Sequence, residues 1–87
     1  MGNRWYRYTN GVQSCLFLDV YEDFCLQVYE DGRWMFRKGE RMILSGKEIT
    51  EQKGKDEALA RMREWVSTLS KRVDEVIATT LAEEATR

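Results

Sequence analysis

Apolar positions along this chain keep one period up to about residue 46 and a different one after residue 58. Leu16, Leu18 and Val20 share even numbering with Phe24, Leu26 and Val28, the two-residue period of strands with one buried face. A connection centred near Glu22 pairs residues whose numbers sum to 44, which keeps both even sets on the same face. The segment Tyr29-Glu30-Asp31-Gly32-Arg33 predicts a three-residue loop, a type I turn closed by a glycine bulge. That loop sets Trp34 opposite Val28 and Phe36 opposite Leu26; a two-residue loop would turn both rings to the other face. Upstream, Trp5–Tyr8 alternate rings with arginine, and Asn10-Gly11 marks a first hairpin. Downstream, Lys38-Gly39-Glu40 turns the chain into a last strand, Arg41–Ser45, ended by Gly46.

From Leu59 the spacing changes to alternating steps of three and four, through Met62, Val66, Leu69, Val73 and Val76. No proline interrupts it. A helix over residues 55–84 would be roughly 45 Å long, against about 17–20 Å for a typical strand. Lys47 to Lys55 reads as a polar linker carrying Gly54, and Asp56 and Glu57 place negative charge in the first helical turn. Ala58, Leu59, Met62, Trp65, Val66 and Leu69 form a broad face suited to a sheet, whereas Val73 and Val76 continue as a narrower seam. The predicted core joins Leu18, Phe24, Leu26, Val28 and Trp34 to Met62 and Val66. The fold class is therefore α+β: an antiparallel β-meander of four or five strands (residues 1–46), then one long C-terminal helix packed on one sheet face, in a single domain. The overhanging seam predicts a homodimer with Val66, Leu69, Val73 and Val76 at the contact. The alternative is a helix bent or broken near Ser67–Ser70.

Composition narrows the chemistry. In 87 residues there is no histidine, and 14 Lys+Arg against 15 Asp+Glu leave a net charge of -1. Histidine-dependent nucleophilic and acid–base sites are excluded, and the usual basic footprint of a nucleic-acid binder is absent. Cys15 and Cys25 lie in apolar stretches without ligand spacing, so they read as free thiols, and no metal or cofactor is expected. Asp19, Glu22 and Asp23 cluster at one sheet end and read as solvated loop charge, and Gly32, Gly39 and Gly46 are spaced as turns and not as a phosphate loop. The chain is expected to be non-enzymatic. No stretch is long enough to span a bilayer and no signal-peptide order opens the chain, so a cytoplasmic protein that does not bind membranes is expected.

The hairpin Leu26-Gln27-Val28-Tyr29-Glu30-Asp31-Gly32-Arg33-Trp34-Met35-Phe36, followed by Gly39, Ile43, Ser45-Gly46 and the helix opening Asp56-Glu57-Ala58, resembles a pattern in small phage and prophage proteins. These pair a β-meander with a helix and include some anti-CRISPR and other counter-defence proteins. The resemblance implies a binding protein of the host cytoplasm that inhibits a larger host protein or nucleoprotein complex by occluding a surface, and it carries no site residues over. From the residues themselves, rings and arginines that dominate binding hot spots nominate Trp5, Tyr6, Tyr8, Tyr21, Tyr29 and Arg33 as partner contacts. The element order also resembles that of PUR, Whirly and similar sheet-plus-helix domains, which implies the alternative of a dimeric single-stranded nucleic-acid binder that stacks bases on the same rings.

Overall fold

The register that the even-numbered residues require is the one the chain adopts. In the computed structural model, which describes residues 4–86, Leu16 stands opposite Val28 and Leu18 opposite Leu26. Strands β2 (Ser14–Tyr21) and β3 (Phe24–Tyr29) thus share one apolar face. Three residues, Glu30-Asp31-Gly32, then reverse the chain, with Gly32 at φ +94° and its N–H donating to the Tyr29 carbonyl at 3.0 Å. In β4 (Arg33–Lys38) Trp34 faces Val28 and Phe36 faces Leu26. With β1 (Tyr6–Thr9) and β5 (Arg41–Lys47) the sheet is a five-stranded antiparallel meander in chain order.

Two bulges, between Asp19 and Tyr21 and between Phe36 and Arg37, fall at the same end of the sheet. Val20 and Ile43 step out of the pairing there and still pack against the core. Strand β5 outruns its expected end at Ser45, since Gly46 pairs with Trp34 and Lys47 with Arg33. A Cβ on Gly46 would come within 2.7 Å of the Trp34 ring. This glycine makes room for an indole instead of stopping a strand.

The helix α1 (Glu51–Ala85) is continuous over 35 residues, about 52 Å at 1.5 Å per residue. It neither bends back nor breaks at Ser67–Ser70, and it starts before the expected residue 55. Thr50 caps it, its hydroxyl accepting the Lys53 N–H at 3.1 Å. Gly54 is not a linker residue but part of the helix, buried against the β3–β4 turn. A Cβ there would sit 2.9 Å from the Gly32 carbonyl oxygen and 2.9 Å from Val28 Cγ1. Close approach of helix to turn therefore outweighs the roughly 1 kcal/mol of helix propensity that glycine forfeits. Arg7, on the helix side of the edge strand, ties β1 to the first turn through two bonds to Glu51, at 2.8 and 3.2 Å.

The core consists of Leu16, Leu18, Leu26, Val28, Trp34, Phe36 and Ala58, with Phe24, Met62 and Trp65 packed against it. Val66 does not belong to it. One residue step turns a side chain by about 100° around the helix, and Trp65 takes the sheet-facing position. Its ring meets Phe36 edge-on at 5.4 Å and lies 6.3 Å from Phe24. Leu59, Val66 and Leu69, assigned from the sequence to the sheet-facing side, are exposed. Beyond Trp65 the helix leaves the sheet altogether. The radius of gyration, 17.0 Å, compares with about 12 Å for a compact chain of this length, and the long dimension is 62 Å.

Two substitutions check this packing. Leu26→Ala should cost on the order of 2–5 kcal/mol in urea unfolding, as a core truncation does. Gly54→Ala should destabilise the protein, although the same change in an open helix gains about 1 kcal/mol; a stabilised variant would mean that helix and turn are not in contact.

Candidate binding face

Helix α1 covers only one side of the meander, and the strand period places a second set of residues on the other. Three cross-strand rows run over it: Tyr8, Cys15 and Tyr29; Tyr6, Phe17, Gln27, Met35 and Ser45; and Asp19, Cys25, Arg37 and Met42. Tyr6 stacks on Phe17 at 5.7 Å, and Tyr8 meets the same ring edge-on at 6.1 Å. The Arg33 guanidinium lies over Tyr29 at 4.6 Å, a geometry that keeps a cation beside a ring at modest cost. The face is therefore aromatic at the β1 side, with arginines on β4 and the sulfur of Cys15, Cys25, Met35 and Met42 spread from β2 to β5.

At the centre of this face lies Gln27, only 7% exposed although no second layer covers it. Its amide nitrogen donates to Tyr29 Oη at 2.9 Å and approaches Cys15 Sγ at 3.5 Å. Gln27 Oε1 and Arg37 Nε, one an acceptor and the other a donor, are buried with no partner among the described residues. A buried polar atom left unpaired costs about 1–3 kcal/mol. A third such atom, Trp34 Nε1, belongs to the covered side.

The β3–β4 turn supplies the charge at the rim. Asp31 accepts the Arg33 backbone N–H at 3.1 Å and its guanidinium at 2.8 Å. These contacts, the backbone bond foremost, hold its carboxyl below the usual carboxylate range. An open depression of about 300 Å³ separates this turn from the β1–β2 turn, touching Tyr29, Asp31 and Arg33. Tyr6 donates to Asp19 at 3.4 Å. Its phenol is pushed above the ordinary tyrosine range, first by desolvation and then by that carboxylate.

Of the six residues nominated from the sequence, Tyr6, Tyr8, Tyr29 and Arg33 come together on this face or its rim. Trp5 does not. It packs against the core, on the helix side, with the Lys55 ammonium 5.4 Å from its ring. Tyr21 sits past the β2 bulge and is 69% exposed at the end of the sheet. Sequence reasoning missed Phe17, Gln27, Met35 and Arg37. The odd positions of the same alternation would have found them, since the even positions had already been assigned to the core. Cys15 and Cys25 share the face but stand opposite Tyr29 and Asp19, four strand residues or roughly 14 Å apart. That exceeds the reach of a disulfide, and both are free.

A second uncovered surface runs along the overhang. Val66, Leu69, Val73, Val76, Ile77 and Leu81 lie between 46% and 60% exposed. Full burial of such a side chain contributes about 1.5–3 kcal/mol, so half-burial of six leaves roughly 5–9 kcal/mol unrealised. Among the described residues no helix is long and apolar enough to cross a membrane. Comparison with protein families, with curated proteins and with solved structures yields no match to this chain.

The Asp31 shift has a sign that can be checked. Because the carboxyl is held low in the fold, its contribution to stability is present above the ordinary carboxylate range and lost as pH falls through the folded value. A carboxyl-detected titration should place Asp31 below the ordinary carboxylate range. Arg33→Ala should recover only part of the shift, since the backbone N–H remains; full recovery would mean that the guanidinium alone causes it.

Proposed function

We propose that this protein is a non-enzymatic binding module that docks the uncovered face of its sheet on a larger protein and thereby occludes a surface of it. The observation that carries this reading is the pair of buried, unpartnered atoms, Gln27 Oε1 at the centre of the face and Arg37 Nε in the adjoining row beside the bulge. A partner that supplied one donor and one acceptor there would satisfy both while covering Tyr6, Tyr8, Phe17 and Met35. Rings and arginine in one desolvated patch are what concentrate binding energy in protein interfaces. The resemblance of the hairpin to small phage proteins supports a bacterial defence complex as the target and the bacterial cytoplasm as the place of action.

The same rings beside Arg33 and Arg37 suit stacked bases, and a single experiment separates the two readings. Wild-type protein, the double variant Tyr6→Ser/Tyr8→Ser and the variant Arg37→Ala are immobilised and exposed to bacterial lysate. In parallel, each is titrated with labelled single-stranded DNA at increasing salt. A protein captured by wild type should bind each face variant at least about tenfold more weakly, a loss of about 1.4 kcal/mol or more. Oligonucleotide binding with a steep salt dependence would favour the nucleic-acid reading. Capture that ignores both variants would remove the sheet face from consideration.

A further inference from the structure

We propose that the overhanging half of α1 is a self-association surface on which two copies pair their helices antiparallel, seam against seam. Among the described residues nothing covers the seam. The helix runs unbroken to Ala85 and parts from the sheet after Trp65, so about 20 residues, roughly 30 Å, project beyond it. Most helical stability in proteins comes from a packed apolar face, which this segment lacks among the described residues.

The apolar stripe also runs straighter than a heptad seam. Leu59, Met62, Val66, Leu69, Val73, Ile77 and Leu81 take six steps over 22 residues, about 3.67 per step, the 11-residue repeat that winds slightly right-handed where a heptad winds left-handed. A strict heptad leads from Val76 to Thr80 and Glu83 and loses the stripe, whereas this spacing continues it to Leu81. A second copy can meet the part of this stripe beyond the sheet, from Val66 to Leu81.

Charge selects both the occupant and its direction. Between residues 61 and 75 the cations Arg61, Arg63, Lys71 and Arg72 exceed Glu64, Asp74 and Glu75 by one, with Arg61 beside Glu64 and Arg72 beside Glu75. Glu83 and Glu84 occupy the last turn, which carries no basic residue, and the helix dipole adds partial negative charge there. Parallel packing would bring four last-turn carboxylates and two negative helix ends together. Antiparallel packing instead moves each acidic end toward that weakly basic stretch of the other copy and opposes the dipoles. With the two-fold axis near Glu75, Leu69 faces Leu81 and Val73 faces Ile77 of the second copy. The two sheets then stand at opposite ends of a rod, each with its uncovered face free.

Sedimentation equilibrium up to 100 µM protein, a concentration set by about 8 kcal/mol for micromolar affinity, should show a dimer. Val73→Glu/Val76→Glu should weaken it at least about 100-fold, the equivalent of two tenfold steps of 1.4 kcal/mol, while the circular dichroism of the sheet-packed part persists. Should that variant unfold, Lys71→Glu/Arg72→Glu provides the second test. It should weaken self-association at low salt, and mixing it with Glu83→Lys/Glu84→Lys should restore pairing. Orientation is read from spin labels on Glu84→Cys in a Cys25→Ser background. Antiparallel pairing places the two labels roughly 30 Å apart, parallel pairing about 10 Å. A monomer at 100 µM, a dimer indifferent to both sets of substitutions, or a label separation near 10 Å would overturn the proposal.

Discussion

A sheet of short strands cannot cover a helix of 35 residues, and most of what is distinctive about this molecule follows from that mismatch. The longest strand has eight residues, about 27 Å at 3.4 Å per residue, against about 52 Å of helix. Contact with the sheet therefore ends where Trp65 closes over Phe24 and Phe36. Before that point the apolar stripe is a core; after it the same periodicity is a surface. One amphipathic pattern thus performs two physical tasks, and the change from one to the other depends on where the sheet stops.

The helix is held at its base by contacts that do not depend on its apolar stripe. Gly54 lets the backbone settle on the Gly32 turn, and Arg7 reaches from the edge strand to Glu51. The Thr50 cap fixes where the first turn begins. Arg7 is exposed and Glu51 half-buried, so the pair contributes little to stability. Past Trp65 the remaining turns run beyond the sheet with Val66 and Leu69 facing solvent.

With the helix committed to one side, the other side of the sheet has to be closed by its own side chains. Tyr6 and Tyr8 lean on Phe17, and Gln27 is buried among neighbours in its own and adjoining rows. Such self-packing hides carbon well but leaves polar atoms short of partners, because neighbours in the same layer approach from the side and not from above. Gln27 Oε1 and Arg37 Nε are the result. A surface that is dry yet holds unsatisfied polar atoms gains from being covered, which joins the energetics of the fold to the binding role proposed for it.

Alternation of apolar residues determined the β2–β3–β4 register, because a one-residue slip would turn Leu26, Val28, Trp34 and Phe36 out of the core together. Asp31-Gly32 likewise fixed the turn, since the three-residue loop alone keeps both rings on the buried face. The sequence also marked an apolar stripe longer than the sheet, but left open a break near Ser67–Ser70 that the continuous helix removes. What it left open depended on contacts between distant residues. Gly54 looked like a linker because its reason for being glycine lies at Gly32 and Val28; Gly46 looked like a stop because its reason lies in the Trp34 ring. Trp5 looked like a contact residue but packs against the core just ahead of β1, and Val66 looked buried until Trp65 took the place against Phe36. A period says which residues share a stripe, but how far that stripe is covered is decided only by the lengths and angles of the packed elements.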